Sequence, residues 1–291
     1  MVSAMSETAA ATRRLGDVDV FPIGLGAMPM SLDGRPAEER SVRTIQAAID
    51  AGVTLVDTAD AYSRDEGDFG HSEELVARAL DGRRDGVLVA TKGGHTRRRR
   101  GWELDGRPEH LRAACEASLR RLRTDRIDLF QYHRPDPRVP FAESVGALKE
   151  LRDKGKVRLI GLSNVTVSQL EDALAIAPIA SVQNQLSLGY TGPLAKGEVE
   201  ACTERGIAFL PWSPLGGIGS ADSTARVEGV RRVAAKRGVS PQQVALAWLL
   251  SLGPTVIPIP GASRPETILD SVGAAELRLS EDDLAVIGRG G

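Results

Sequence analysis

The stretch Gly24-Leu25-Gly26-Ala27-Met28-Pro29 follows the first apolar run of the chain and decides between two α/β folds. An open, doubly wound sheet that binds a dinucleotide usually carries G-x-G-x-x-G at this point, with the pyrophosphate at the start of the next helix. Here Pro29 stands in place of the third glycine, and no helix start follows closely. The stretch therefore disfavours the doubly wound fold.

Beyond this stretch, short apolar runs alternate with amphipathic segments along the whole chain. Apolar residues recur at helical spacing within 111–122, for example. The eight apolar runs are Ile23–Leu25, Thr54–Val56, Val87–Ala90, Ile127–Tyr132, Val157–Leu162, Ser181–Gln183, Ile207–Pro211 and Thr255–Ile257. Such alternation predicts parallel strands joined by helical crossovers. We therefore predict an α/β fold, the closed (β/α)8 TIM barrel, with a β-hairpin around Gly16-Asp17 capping the bottom, N-terminal end of the barrel.

The composition excludes several classes of function. The 291 residues include 37 Lys+Arg and 39 Asp+Glu, a net charge of -2, which excludes a generally basic nucleic-acid binder. The longest strictly apolar run, Val244–Leu250, is far below the ~20 residues of a membrane span. Two cysteines form no disulfide framework or zinc spacing, so we expect a reducing cytoplasm. We expect a disordered tail over residues 1–12, one domain over 13–291, and a monomer by default.

Polar residues follow several predicted strands at the end where barrel enzymes place their chemistry. Asp57 and Tyr62 follow the second strand, Lys92 ends the third, and His133 follows the fourth. Taken singly, each has a plainer explanation, such as a turn-capping aspartate or a surface lysine. Opposite charges buried together at one rim are better explained by catalysis than by stability. The four scattered histidines offer no paired metal-ligand spacing, so we predict no metal.

The loops after the seventh and eighth strands are rich in glycine. They contain Leu215-Gly216-Gly217-Ile218-Gly219 and Gly261-Ala262-Ser263-Arg264. Barrels that bind phosphate commonly do so with these two loops. Glycine lets backbone N–H groups approach phosphate oxygens, and an arginine can grip a phosphate with two parallel hydrogen bonds. These loops predict a phosphate site, whereas flexible loops without a ligand are the alternative.

From Leu15 to about Ile287 the sequence resembles the aldo-keto reductase superfamily, especially bacterial members. The motifs that carry the resemblance are Asp57-Thr58-Ala59-Asp60-Ala61-Tyr62, Thr91-Lys92, His133, Gly161-Leu162-Ser163-Asn164-Val165, Gln183 and Pro258-Ile259-Pro260-Gly261. Some stretches, such as Pro214-Leu215-Gly216-Gly217, are similar to pyridoxal-reductase-like members. The resemblance implies a barrel that binds NADPH, or less often NADH, and reduces an aldehyde or ketone to an alcohol.

The resemblance also implies roles for the residues at the rim. Tyr62 would be the general acid for the carbonyl oxygen, with Lys92 easing loss of the phenolic proton and Asp57 orienting Lys92. His133 would bind the substrate oxygen. The implied cofactor-binding residues are Gly26, Met28, Asp57, Ser163, Asn164, Gln183, Trp212, Ser213, Pro214, Leu215, Gly216, Gly217, Gly261, Ser263, Arg264, Thr267 and Asp270. Among these, Ser163, Asn164 and Gln183 would hold the nicotinamide carboxamide, with Trp212 stacked on its ring.

Departures from the family pattern bear on cofactor and substrate. Many NADPH-preferring members carry an arginine where this chain has Thr267, so Arg264 would take over the 2′-phosphate or cover the adenine. We expect NADPH to be preferred over NADH. Trp102 is expected to shape the substrate pocket together with the run Arg97–Arg100, which is either a solvated loop or an anion contact. The small-molecule carbonyl substrate itself is not specified by the sequence.

Two other functions are compatible with a barrel of this kind. Lys92 could form a Schiff base with a carbonyl substrate in a lyase, although a lyase needs no dinucleotide loops. The chain could also be a non-catalytic regulatory subunit that binds NADPH, although the complete set of Asp57, Tyr62, Lys92 and His133 argues against a degenerate site.

Overall fold

The computed structural model describes residues 12–219 and 226–288. The expected N-terminal tail lies outside these residues except for Thr12. Seven parallel strands form one curved sheet in the order β11-β10-β9-β8-β5-β4-β3. Their bounds are β3 Leu25–Gly26, β4 Leu55–Asp57, β5 Leu88–Gly93, β8 Ile127–Tyr132, β9 Val157–Ser163, β10 Ile179–Gln183 and β11 Ala208–Phe209.

The sheet closes into a barrel through residues 255–261, which the sequence predicts as the eighth strand. Single parallel bridges join Phe209 to Val256 and Gly26 to Gly261. Toward β3 this segment only accepts hydrogen bonds, from Gly24 N to Pro258 O and from Gly26 N to Pro260 O, both 2.9 Å. Proline has no N–H to donate, so half of the ladder to β3 is missing. The predicted (β/α)8 barrel is confirmed, and its eighth strand is reduced to this seam.

Helices cover the outside of the barrel. Their bounds are α1 Glu38–Asp50, α2 His71–Ala79, α3 Pro108–Leu122, α4 Phe141–Asp153, α5 Val167–Leu174, α6 Gly192–Ala195, α7 Glu198–Glu204, α8 Glu228–Arg237, α9 Pro241–Ser251, α10 Pro265–Val272 and α11 Glu281–Gly288. Short 3-10 turns occur at Met28–Met30, Glu66–Asp68 and Gly273–Ala275. The run Val244–Leu250 lies within α9. None of the helices in the described residues is long and apolar enough to span a bilayer.

The predicted N-terminal hairpin is present as β1 Arg13–Leu15 and β2 Val18–Val20, paired antiparallel. Its buried side chains, Leu15 and Val20, pack into a cluster of strand residues that includes Leu55, Leu129 and Ile257. Apolar side chains of the hairpin therefore close the interior of the barrel at the end opposite the loops described below.

A second hairpin, β6 His95–Arg98 and β7 Gly101–Leu104, occupies the connection after β5. The sequence leaves the run Arg97–Arg100 open between a solvated loop and an anion contact; in the structure Arg97 and Arg98 lie on β6, and residues 99–100 form the turn to β7. Four consecutive arginines and an exposed turn hide the strand pattern, because neither face of this hairpin packs into the core. The hairpin stands beside the carboxyl ends of the strands and carries His95 and Trp102.

Candidate active site

The four predicted catalytic residues come together at the carboxyl ends of three neighbouring strands. Asp57 is the last residue of β4, Lys92 lies one residue before the end of β5, and His133 directly follows β8. Tyr62 is in the loop after β4. Strands β4, β5 and β8 are adjacent in the sheet, so residues far apart in sequence share one small volume.

Lys92 is the centre of this group and has no exposed surface. Its Nζ donates to Asp57 Oδ1 at 2.6 Å, to the carbonyl oxygen of Thr58 at 2.8 Å and to the Tyr62 hydroxyl at 3.0 Å. An ammonium has three N–H donors, so all three are used. Lys92 is therefore held as a paired cation, and two of its three hydrogen-bond partners, Asp57 and Tyr62, line the cavity.

Burial and neighbouring charges together set the pKa values of Lys92 and Tyr62. Burial alone would lower the pKa of Lys92, but the Asp57 carboxylate and Tyr62 outweigh it, so this pKa is raised and the amine stays charged. Burial also raises the pKa of Tyr62 above its ordinary value; the charge of Lys92 opposes this rise and Asp57 adds to it. Lys92 thus lowers the pKa of the phenol, as expected, but by less than burial raises it. Tyr62 is therefore protonated at neutral pH.

The second oxygen of Asp57 is held by two glutamines. Gln183 Nε2 donates to Asp57 Oδ2 at 2.8 Å and Gln131 Nε2 donates to the same oxygen at 3.1 Å. The sequence analysis assigns Gln183 to the cofactor and gives Gln131 no role. Fully buried glutamines at inward positions of β8 and β10 require partners, which is the signal that could have predicted this contact.

Aromatic rings form one wall beside Tyr62. The His133 ring lies 5.6 Å from the Tyr62 ring, and the His95 ring stacks on His133 with centroids 4.1 Å apart. Trp102, 42% exposed, lies edge-on to Tyr62 at 6.3 Å. The sequence analysis missed His95, because the hairpin that places it there has no core-facing pattern.

Both histidines are neutral in this setting. Burial, then His95, Lys92 and Arg134, keep the pKa of His133 well below its usual value. Burial, then Arg134 and Lys92, lower the pKa of His95 to about 4. The buried Nδ1 atoms of His95 and His133 have no hydrogen-bond partner among the described residues. A neutral imidazole can donate one hydrogen bond to a carbonyl oxygen.

A cavity of about 610 Å³ opens above Tyr62, within the ~300–1,000 Å³ typical of ligand sites. The predicted site residues that line it are Gly26, Met28, Asp57, Tyr62, Trp102, His133, Ser163, Asn164, Gln183, Trp212, Ser213, Pro214, Leu215, Gly217, Gly261, Ser263, Arg264 and Thr267. Residues from both ends of the chain thus meet around one space.

Three predicted site residues do not line this cavity. Lys92 lies beneath its floor, and Gly216 is part of the loop after β11 without facing the space. Asp270 lies on α10, where its carboxylate accepts from Ser240 Oγ at 2.7 Å and Gln243 Nε2 at 2.8 Å. Its expected contact with the adenosine is not supported by this position, because both oxygens hold α9 against α10.

The arginines around the site fall into two groups. In the run Arg97–Arg100, Arg97 lies over the Trp102 ring at 4.3 Å, Arg98 pairs with Glu103 and Arg100 with Asp33. These side chains are therefore occupied by protein groups. By contrast, Arg40 and Arg134 line the cavity, and the described residues offer neither guanidinium a recorded partner. The sequence analysis gives no role to either.

A second buried charged cluster lies behind the catalytic group. Glu73 has no exposed surface and accepts from Thr91 Oγ1 at 2.5 Å and Arg121 Nε at 2.6 Å. Asp60, also fully buried, has no hydrogen-bond partner on either carboxyl oxygen within the described residues. Burial, followed by the charge of Glu73, raises the pKa of Asp60 well above its ordinary value. Its surroundings therefore favour the neutral, protonated form of the Asp60 carboxyl group.

A (β/α)8 barrel that brings an acid, a lysine, a tyrosine and a histidine together at its strand ends has the arrangement of a barrel-enzyme active site. The chain belongs to the aldo/keto reductase family, whose family model matches residues 22–289. An uncharacterized oxidoreductase of Schizosaccharomyces pombe is 34% identical over 97% of this chain and 90% of its own length.

Solved structures agree with this membership. The glycerol dehydrogenase of Gluconobacter oxydans superimposes with a TM-score of 0.84 at 30% identity, covering 97% of this chain and 95% of its own. An aldo-keto reductase of Klebsiella pneumoniae in complex with NADPH has a TM-score of 0.81 at 28% identity, with the same coverage. The predicted family is confirmed.

Proposed function

We propose that this chain reduces an aldehyde or ketone to an alcohol with NADPH as the hydride donor. The observation that carries this proposal is the contact of 3.0 Å between Lys92 Nζ and the Tyr62 hydroxyl. It holds a protonated phenol at the cavity wall, beside a neutral histidine. Family membership and the NADPH complex of the Klebsiella relative support the same reading.

The residues at the cavity fit a dinucleotide. A Cβ on Gly261 would lie 2.8 Å from Pro29 Cγ, and one on Gly26 would lie 2.9 Å from the Ile259 oxygen, so glycine at these positions lets two segments of the cavity wall pack against each other. Asn164 and Ser213 have positive φ values of 60° and 50°, conformations that are costly for residues with a Cβ and that cluster at ligand sites. The buried Nε1 of Trp212 has no partner in the described residues.

We assign the cofactor-binding residues by their positions around the cavity. Ser163 and Asn164 would hold the nicotinamide carboxamide, and Trp212 its ring. Ser213, Pro214, Leu215 and Gly217 would follow the pyrophosphate, and Gly261, Ser263, Arg264 and Thr267 would contact the adenosine. The side-chain oxygen of Gln183 is the group left for the carboxamide, since its two amide N–H groups are directed at Asp57 Oδ2, at 2.8 Å, and Gln131 Oε1, at 3.5 Å. Bound there, NADPH supplies the hydride that reduces the carbonyl carbon.

The chain's own residues supply the proton. Tyr62 gives its phenolic proton to the substrate oxygen, and the Lys92 ammonium stabilises the phenolate that remains. Asp57, fixed by Gln131 and Gln183, holds Lys92 in place. The neutral His133 donates to the same substrate oxygen and orients it. General acid catalysis of this kind typically accelerates a reaction ~10²–10⁴-fold.

The contacts of Lys92 weigh against a Schiff-base lyase. A nucleophilic amine must be unprotonated and reach the substrate. Lys92 is fully buried, uses all three donors, and has a raised pKa. The lysine is therefore suited to act through Tyr62 and not to attack a carbonyl itself.

The test is a screen of NADPH oxidation against aldehydes, ketones, pyridoxal and sugar carbonyls, followed by product analysis. We expect NADPH-dependent formation of an alcohol, abolished in the Tyr62→Phe variant. Tight NADPH binding without turnover across the panel would favour the non-catalytic subunit. Trapping of a substrate on Lys92 by borohydride would favour the lyase.

A further inference from the structure

Arg134 lines the cavity, and its guanidinium has no protein partner in the described part of the chain. It follows His133 directly and is exposed, and it lines the cavity together with His95 and Trp102. The nearest acid in sequence, Asp136, is already engaged, because it accepts from Arg138 and from the backbone N–H of Gly106. Within the described ranges no acceptor is recorded for the Arg134 guanidinium.

The charge around the cavity is unbalanced. Its lining residues in the described part of the chain include three arginines, Arg40, Arg134 and Arg264, and one acid, Asp57. Asp57 is neutralised by Lys92 at 2.6 Å. A cavity wall with uncompensated cations attracts anions. The dinucleotide phosphates account for a cation near the glycine-rich loops, but not for one at the opposite, histidine end.

Arg134 belongs to the end of the cavity where the carbonyl is reduced. Its charge is among the causes that lower the pKa of both His95 and His133, which means that it lies close to both rings. Arg264, by contrast, lies at the start of α10, where its Nε donates to Thr267 Oγ1 at 2.9 Å. The two arginines therefore face different parts of a bound substrate and cofactor.

We propose that Arg134 forms an anion subsite for the substrate, so that the preferred carbonyl compounds carry a carboxylate. The inference rests on the proposed function and names its substrate class. The aromatic surfaces of Tyr62, Trp102 and His95 would pack on the body of the substrate between its carbonyl and its carboxylate. An arginine fork is well matched to a carboxylate, to which it can make two parallel hydrogen bonds.

The experiment compares 4-carboxybenzaldehyde with its neutral methyl ester, in wild type and in Arg134→Gln, Arg134→Lys and Arg120→Gln variants. Arg120 is an exposed arginine of α3, away from the cavity, and serves as the matched control. Steady-state reduction gives KM and kcat. Tryptophan fluorescence gives a dissociation constant without turnover, because Trp102 and Trp212 line the cavity.

We expect the wild type to favour the acid over the ester about three- to tenfold in KM and in dissociation constant, with kcat little changed. Arg134→Gln should abolish this preference, Arg134→Lys should keep part of it, and Arg120→Gln should keep all of it. Added salt should reduce it, since the guanidinium is exposed. An equal preference in Arg134→Gln, or no preference in wild type, would overturn the subsite.

The two proposals fail in different ways in this experiment. If both compounds are reduced without a preference that depends on Arg134, the proposed reductase activity stands and the proposed anion subsite is wrong. If the acid binds in an Arg134-dependent way and no NADPH is consumed, the anion subsite is supported and the proposed reductase activity is contradicted.

Discussion

The imidazole of His95 lies 4.1 Å from that of His133, with 28° between the ring planes. One ring comes from the β6–β7 hairpin and the other from the end of β8. Two cations cannot share such a stack without strong repulsion, and Lys92 and Arg134 add positive charge nearby. Burial, followed by the charges of His95, Lys92 and Arg134, therefore keeps His133 in the neutral form that donates to a carbonyl oxygen.

The burial of His95 beside Arg134 and Lys92 predicts a loss of stability in acid. The folded-state pKa of His95, about 4, is below the ~6.5 of an unfolded histidine. Between these values the unfolded chain binds more protons, so stability falls as the pH falls, by at most ~1.4 kcal/mol per pH unit for one proton. We expect His95→Gln to flatten the decline of Tm between pH 6.5 and 4 in thermal melts. An unchanged pH profile would show that His95 is not the group responsible.

Asp60 predicts the opposite dependence. Its pKa is raised in the folded state, so its contribution to stability is present at low pH and is lost as the pH rises through that pKa. Asn has nearly the same shape and no proton to lose. We expect the Tm of Asp60→Asn to exceed that of wild type by an amount that grows from pH 4 to pH 8. Asp172→Asn, on an exposed position of α5, should show no such trend, and a gain independent of pH would contradict the assignment.

Removal of the Tyr62 hydroxyl tests the proton donor. Tyr62→Phe should lower kcat by ~10²–10⁴-fold while the dissociation constant of NADPH barely changes, because only the general acid is lost. Stopped assays of carbonyl reduction and fluorescence titration of NADPH measure the two quantities. Tyr190→Phe, on an exposed tyrosine, is the control. A Tyr62→Phe enzyme with half the wild-type kcat would mean that another group delivers the proton.

Arg264→Ala tests the choice of cofactor. If the guanidinium grips the 2′-phosphate, the variant should bind NADPH about tenfold more weakly and NADH almost as before; the effect is at the lower end for a charged hydrogen bond because Arg264 is exposed. The loss should shrink in high salt. Dissociation constants for both cofactors decide the question. Equal losses for NADPH and NADH would instead mean that Arg264 covers the adenine.

Much of the fold was predictable because strand and helix patterns repeat around a barrel. Strand ends converge by topology, so Asp57, Lys92 and His133 could be placed at one rim from sequence alone. Their order in the chain was sufficient, since neighbouring strands in a parallel barrel follow one another. Tyr62 required the family resemblance, because nothing in a loop sequence states where its hydroxyl points.

What the sequence could not provide depends on contacts across the barrel. Gln131 and Gln183 are 52 residues apart in the chain, yet their amides meet at one carboxyl oxygen. His95 was missed because its hairpin contributes nothing to the core. The position of Asp270 was not predictable because a polar residue on a helix near a binding loop can face either a ligand or the next helix, and here its carboxylate accepts from Ser240 and Gln243 of the next helix segment.

The barrel closes between β3 and residues 255–261, where prolines leave few hydrogen bonds between the two segments. The upper end of this seam consists of Gly26 and Gly261, and both also line the cavity. A ligand that contacts both glycines would hold the two segments together. Its binding free energy would then stabilise the closed barrel against opening between them. Amide hydrogen exchange at Gly24 and Gly26 would then report the ligand from the backbone itself, as a slowing of the opening of the ring.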